Sequence, residues 1–118
     1  MTKTVDVVVI GANQSALNAA VDLAHSGKRV LVISLRRSPD LRRRLRRVRA
    51  AAGAVVSKRI AVLTGVEVEC IAGIRSVEAV LARYVVGGRR VDVNATSLLT
   101  FEDEPETRIA PTRGVVRC

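Results

Sequence analysis

Six consecutive residues, Gly11-Ala12-Asn13-Gln14-Ser15-Ala16, are the part of this sequence whose types and spacing suit a bound ligand. They partly satisfy the phosphate-binding pattern G-x-G-x-x-G/A, in which glycines let backbone amides approach a pyrophosphate at a helix N-terminus. Gly11 takes the first position and Ala16 an accepted third, while Asn13 stands where the second glycine belongs. Asparagine tolerates left-handed backbone better than most residues, so the turn itself survives the replacement. Its side-chain amide is also able to donate to a phosphate. The competing reading is a strand-to-helix turn that preserves the architecture and binds nothing.

No other constellation carries chemistry. His25, the single histidine, falls near the end of the first expected helix with no carboxylate or nucleophile placed to work with it, and reads as a surface residue. Asp6 precedes an apolar run and reads as a solvated strand edge. Glu102-Asp103-Glu104 is three carboxylates in a loop without a second ligand type, so no metal site is expected. Cys70 and Cys118 form neither a CxxC redox motif nor a four-ligand zinc set, and a reduced chain is expected. No catalytic residue is assigned.

The elements that must position the turn follow from hydrophobic periodicity. Val7 to Ile10 is a continuous apolar run closed by Gly11, as expected of a central parallel strand. Residues 12–26 have helical spacing, with small Ala16, Ala19 and Ala20 for close packing, and stop at Gly27. Val30 to Ile33 reads as the second buried strand. A second helix starts at Ser38-Pro39-Asp40 and ends at Gly53, its apolar stripe being Leu41, Leu45 and Val48. From Ile60 the period becomes two. Strands are expected over 60–64, 66–71, 76–86, 89–95 and 97–101, with Gly87-Gly88 as a two-residue hairpin turn. The sequence from 102 to 118, with Pro105 and Pro111, reads as an irregular tail of a single domain covering 1–118.

Composition narrows the partners. Apolar residues make up 48% of the 118, yet there is one Phe, one Tyr and no Trp, which argues against single-stranded nucleic acid and its stacking platforms. The net charge is +9, and eight arginines lie between Arg36 and Arg49. This invites an anionic partner, whether a phosphorylated cofactor, nucleic acid or an acidic protein surface, while the plainer reading of Arg42 to Arg49 is a solvated face whose aliphatic stems cover the core edge. Nucleic acid is not expected, because no recognised binding motif is present. The basic helix and acidic tail also suit self-association. No apolar run is long enough to span a bilayer and the N-terminus lacks a signal-peptide pattern, so a cytoplasmic chain is expected.

The order of these elements resembles the NAD(P)H-binding domain of two-dinucleotide-domain flavoproteins, the thioredoxin reductases and their pyridine nucleotide-disulfide oxidoreductase relatives. The resemblance rests on Val5 to Ser34, on Ile60 to Gly65 with the meander segments Val77 to Val80 and Arg90 to Val93, and on Leu98 to Phe101 with Pro105-Glu106-Thr107. It implies a Rossmann-like three-layer α/β fold, a parallel sheet plus an antiparallel β-meander. It implies a cofactor held by Gly11, Ala12, Asn13, Gln14 and Ser15 at the pyrophosphate. Arg36 and Arg37 match the pair that meets the 2′-phosphate of NADPH, and Ser34 replaces the acidic residue that would prefer NAD or FAD. The implied function is an NADP(H)-type domain or small subunit of a flavoprotein oxidoreductase, needing a flavin-bearing partner chain for any hydride transfer. Against the family pattern, Asn13 and Glu102 replace glycines, and neither the redox CxxC nor a flavin domain is present. The alternatives are a non-catalytic interaction module that has lost its cofactor, and an FAD-binding domain suggested by the opening Asp6 to Gly11.

Overall fold

The computed structural model describes residues 2–11, 13–34, 39–73, 77–101 and 116–117. Its elements in order are β1 (Thr2–Thr4), β2 (Val7–Ile10), α1 (Gln14–His25), β3 (Val30–Ser34), α2 (Pro39–Ala52), α3 (Ala54–Ser57), β4 (Ile60–Thr64), β5 (Val66–Ala72), β6 (Ala79–Tyr84), β7 (Arg90–Asn94), β8 (Ser97–Thr100) and β9 (Val116–Arg117).

Continuous apolar runs make strands that must be covered on both faces, and β2 and β3 are such strands. They sit centrally in a four-stranded parallel sheet of order β4-β3-β2-β8, with Val7 opposite Val30 and Ser97, and Val30 opposite Ile60. Alternation then divides their side chains between two cores. Val7, Val9, Val30 and Val32 pack with Ile60 against Ala16, Ala20 and Ala24 of α1. Val8, Ile10, Leu31 and Ile33 face the other way, onto Val66, Val68, Val80, Ala82, Val91 and Val93 of the meander. The result is three layers: helices, parallel sheet, second sheet. The Rossmann-like α/β expectation holds.

The second sheet has the order β1-β7-β6-β5-β9, with β5-β6 and β6-β7 antiparallel and the two outer pairings parallel. Its β1 was not foreseen, because Thr2–Thr4 has no apolar signal and is held only by pairing with β7. The β6–β7 connection is also longer than a two-residue turn. Tyr84 N donates to Arg89 O and Gly88 N to Tyr84 O, closing a loop over 85–89 in which Gly87 and Gly88 take φ of 90° and 69°. Val85 and Val86, which read as strand, are loop residues with 57% and 89% of their surface exposed. Val85 N bonds Gly65 O instead of a strand partner.

Two further expectations are corrected near the C-terminus. Val116–Arg117 is a strand running parallel to Cys70–Ile71, so the sequence from 102 is not irregular throughout. Cys70 is disulfide-bonded, not a reduced thiol. The pairing of β9 returns the chain to the neighbourhood of this cysteine, an approach between distant segments that spacing does not reveal. Cys118, the other cysteine in the sequence, lies outside the described residues, as do Glu102 to Glu106. No helix among the described residues is long and apolar enough to cross a membrane.

Candidate functional site

The candidate site is built at the carboxyl end of β2, where a doubly wound sheet places its ligands. Gly11 leaves the strand with φ 125° and its N–H donates to Ile33 O at 2.9 Å, which sets the turn beside the end of β3. Only glycine fits there. A Cβ on Gly11 would lie 2.6 Å from the carbonyl oxygen of Phe101, which follows β8 and whose N–H donates to Ile10 O. The glycine is thus required by the neighbouring strand, whether or not a phosphate approaches.

Asn13 is the N-cap of α1. With φ −74° and ψ 175° it is extended and not left-handed, and its Oδ1 accepts the N–H of Ala16 at 2.7 Å. Its carbonyl accepts Leu17 N–H at 3.1 Å. A buried asparagine, 8% exposed, therefore does what a capping residue does and uses one of the amides a pyrophosphate would want. The amides of Gln14 and Ser15 make no hydrogen bond among the described residues, and both residues are exposed. Two donors at the positive end of a 12-residue helix fit an anionic oxygen. The side chains of Gln14 and Asn18 bond each other, Nε2 to Oδ1 at 2.9 Å.

Ser34 ends β3 opposite Thr64 and is buried, 4% exposed. Ala12, Arg36 and Arg37 lie outside the described residues. Of the expected site, the structure brings Gly11, Asn13, Gln14, Ser15 and Ser34 to one sheet end. Two residues were misread or missed. Asp6 is no idle edge residue: its Oδ2 accepts Arg29 N–H at 2.8 Å, and its carbonyl accepts the N–H groups of Thr96 and Ser97 at 3.2 Å each. It ties the starts of β2, β3 and β8 together. Phe101 was read as the end of a strand, and nothing in its own type signals the contact with Gly11. His25 is exposed at the end of α1, as expected, on a groove of about 400 Å³ between α1 and α2 that includes neither Gly11 nor Ser34. Among the described residues no cluster of His, Cys, Asp or Glu is arranged to hold a metal.

No family model and no curated protein sequence matches the chain. Solved structures do resemble it. Thioredoxin reductase from Giardia duodenalis superposes with a TM-score of 0.64 at 18% identity, over 86% of this chain and 32% of that one. Thioredoxin reductase from Streptococcus pyogenes gives 0.63 at 21% identity, over 94% and 35%. A geranylgeranyl bacteriochlorophyll reductase-like protein from Thermoplasma acidophilum gives 0.63 at 15% identity, over 100% and 44%. The chain spans about a third of the length of the thioredoxin reductases. At these identities the likeness is one of fold.

Proposed function

We propose that this chain is a dinucleotide-binding domain of the flavoprotein oxidoreductase type, taking NADP(H) in preference to NAD or FAD and holding no catalytic group of its own. The observation that carries the proposal is the pair of amides, Gln14 and Ser15, without acceptors at the N-terminus of α1, directly beyond a positive-φ glycine at the end of the central strand. Gly11 permits the turn, the two amides meet the pyrophosphate, and the end of β3 carries Ser34 where a carboxylate would repel a 2′-phosphate. Arg36 and Arg37 supply the positive charge for that phosphate. A flavin or other hydride acceptor comes from a partner chain.

A second reading has specific support. Gly11 is accounted for by Phe101 and Asn13 by capping, so both residues are explained by the fold without a cofactor. On this reading the chain is a retained architecture that serves as an interaction module.

Calorimetric titration with NADPH, NADH and FAD separates the two. NADPH binding that weakens at least tenfold in an Arg36→Ala/Arg37→Ala double variant, with NADH weaker in the parent chain, supports the first reading. Bound flavin visible in the absorption spectrum would replace NADP(H) by FAD. Absence of binding to all three at millimolar ligand leaves the interaction module.

A further inference from the structure

Helix α2 is set apart from the rest of the fold by what it packs on. It contributes no residue to either buried core cluster, and of its apolar stripe only Leu41 is fully buried, Leu45 and Val48 being half-buried. The helix therefore lies as an outer rib of the helical layer, in contact with α1 and α3. Arg42, Arg43, Arg44, Arg46, Arg47 and Arg49 are all exposed on it. Arg49 donates to Ile60 O at 3.2 Å. Among the described residues Arg42, Arg44, Arg46 and Arg47 make no hydrogen bond or ion pair, in contrast to Arg83 with Glu69 and Arg90 with Asp92.

At about 100° per residue, these arginines occupy an arc of roughly 220° around the helix, with Arg42 and Arg44 on opposite flanks, Arg43 near the middle, and Arg46 and Arg47 to either side of the middle. The width of that arc discriminates between partners. A flat acidic protein surface or a bilayer faces only the outward line. Charge held on both flanks is matched by an anion that wraps the helix, and a nucleic-acid groove is walled by phosphates on its two sides. The major groove of a duplex, about 12 Å wide, admits an α-helix. The side chains are all arginine, whose planar fork suits phosphate oxygens. The lack of aromatic residues that argues against single strands does not bear on a duplex, whose bases are already stacked.

We infer that the arginine face of α2 is a docking ridge for duplex nucleic acid, binding its phosphates without reading sequence. Four unpaired arginines engaging four phosphates give roughly a 150-fold loss of affinity between 50 and 200 mM monovalent salt.

The test is fluorescence anisotropy of the full chain with a labelled 20-base-pair DNA duplex, set beside polyglutamate and vesicles rich in phosphatidylglycerol. The parent protein should bind the duplex at 50 mM salt with the stated salt dependence, and in preference to polyglutamate at equal charge concentration. Two variants, Arg42→Gln/Arg44→Gln on the flanks and Arg46→Gln/Arg47→Gln nearer the outward direction, should each lose at least tenfold, with unchanged circular dichroism. Absence of duplex binding at 50 mM salt overturns the inference. So does a flank variant that binds like the parent, which would indicate a flat partner. Polyglutamate or vesicles bound as tightly as the duplex would overturn it in favour of an acidic protein or a membrane.

Discussion

Gly11 shows how one residue can satisfy a ligand motif and a packing constraint at once. Gly11→Ala forces a Cβ to within 2.6 Å of Phe101 O on a backbone of φ 125°, so it should destabilise the chain by about 2–3 kcal/mol in urea unfolding without any ligand present. A much smaller loss would mean that the glycine is kept for a ligand and not for β8. Asn13 is separable by the choice of replacement. Asn13→Ala removes the cap bond to Ala16 and should lose about 1 kcal/mol, whereas Asn13→Gly should lose only a few tenths and open the turn. If NADPH binds, Asn13→Gly should bind it more tightly than the parent, because it frees the Ala16 amide; weaker binding would give the asparagine a direct role in holding the ligand. At this scale the sequence was legible in residue type and silent in partner. Gly11 and Asn13 stood out from the motif pattern, but the Phe101 carbonyl and the carboxylate of Asp6 act through segments far away in the chain.

Among the elements, α1 is the one whose packing is most tightly specified. Ala16, Ala20 and Ala24 are buried at successive helical turns against the valines of β2 and β3. Ala20→Leu has no space to fill and should destabilise by about 1–3 kcal/mol, read as a lower urea midpoint with an unchanged slope. The buried elements were legible in the sequence because each has a strong periodic signal, the runs of β2, β3 and β4 and the alternating meander. The end of α2 was marked by Gly53 with φ 90°, whereas the short α3 beyond it was not expected. The elements that went unread lack that signal. Thr2–Thr4 and Val116–Arg117 are held by pairing with β7 and β5, and the 85–89 loop contains two valines whose strand propensity is overridden by Gly87-Gly88.

For the molecule as a whole, a net charge of +9 with four arginines unpaired on one helix means self-repulsion in the folded state. Screening should therefore stabilise the protein. The melting temperature should rise by about 4 °C from 20 to 200 mM salt, equivalent to roughly 1 kcal/mol for a domain of this size, and the increment should shrink in Arg46→Gln/Arg47→Gln. A flat response would place compensating carboxylates beside the ridge. The pairing of β2 has a consequence of another kind. One edge of β2 is met early by β3, but its other edge is completed by Ser97–Thr100, with Val7 opposite Ser97. During vectorial synthesis that edge of an almost wholly apolar strand stays open until nearly all of the described chain has left the ribosome. A stalled or prematurely terminated message is then the hazard: chains ending near residue 95 should accumulate as aggregates, while chains reaching 101 recover in the supernatant.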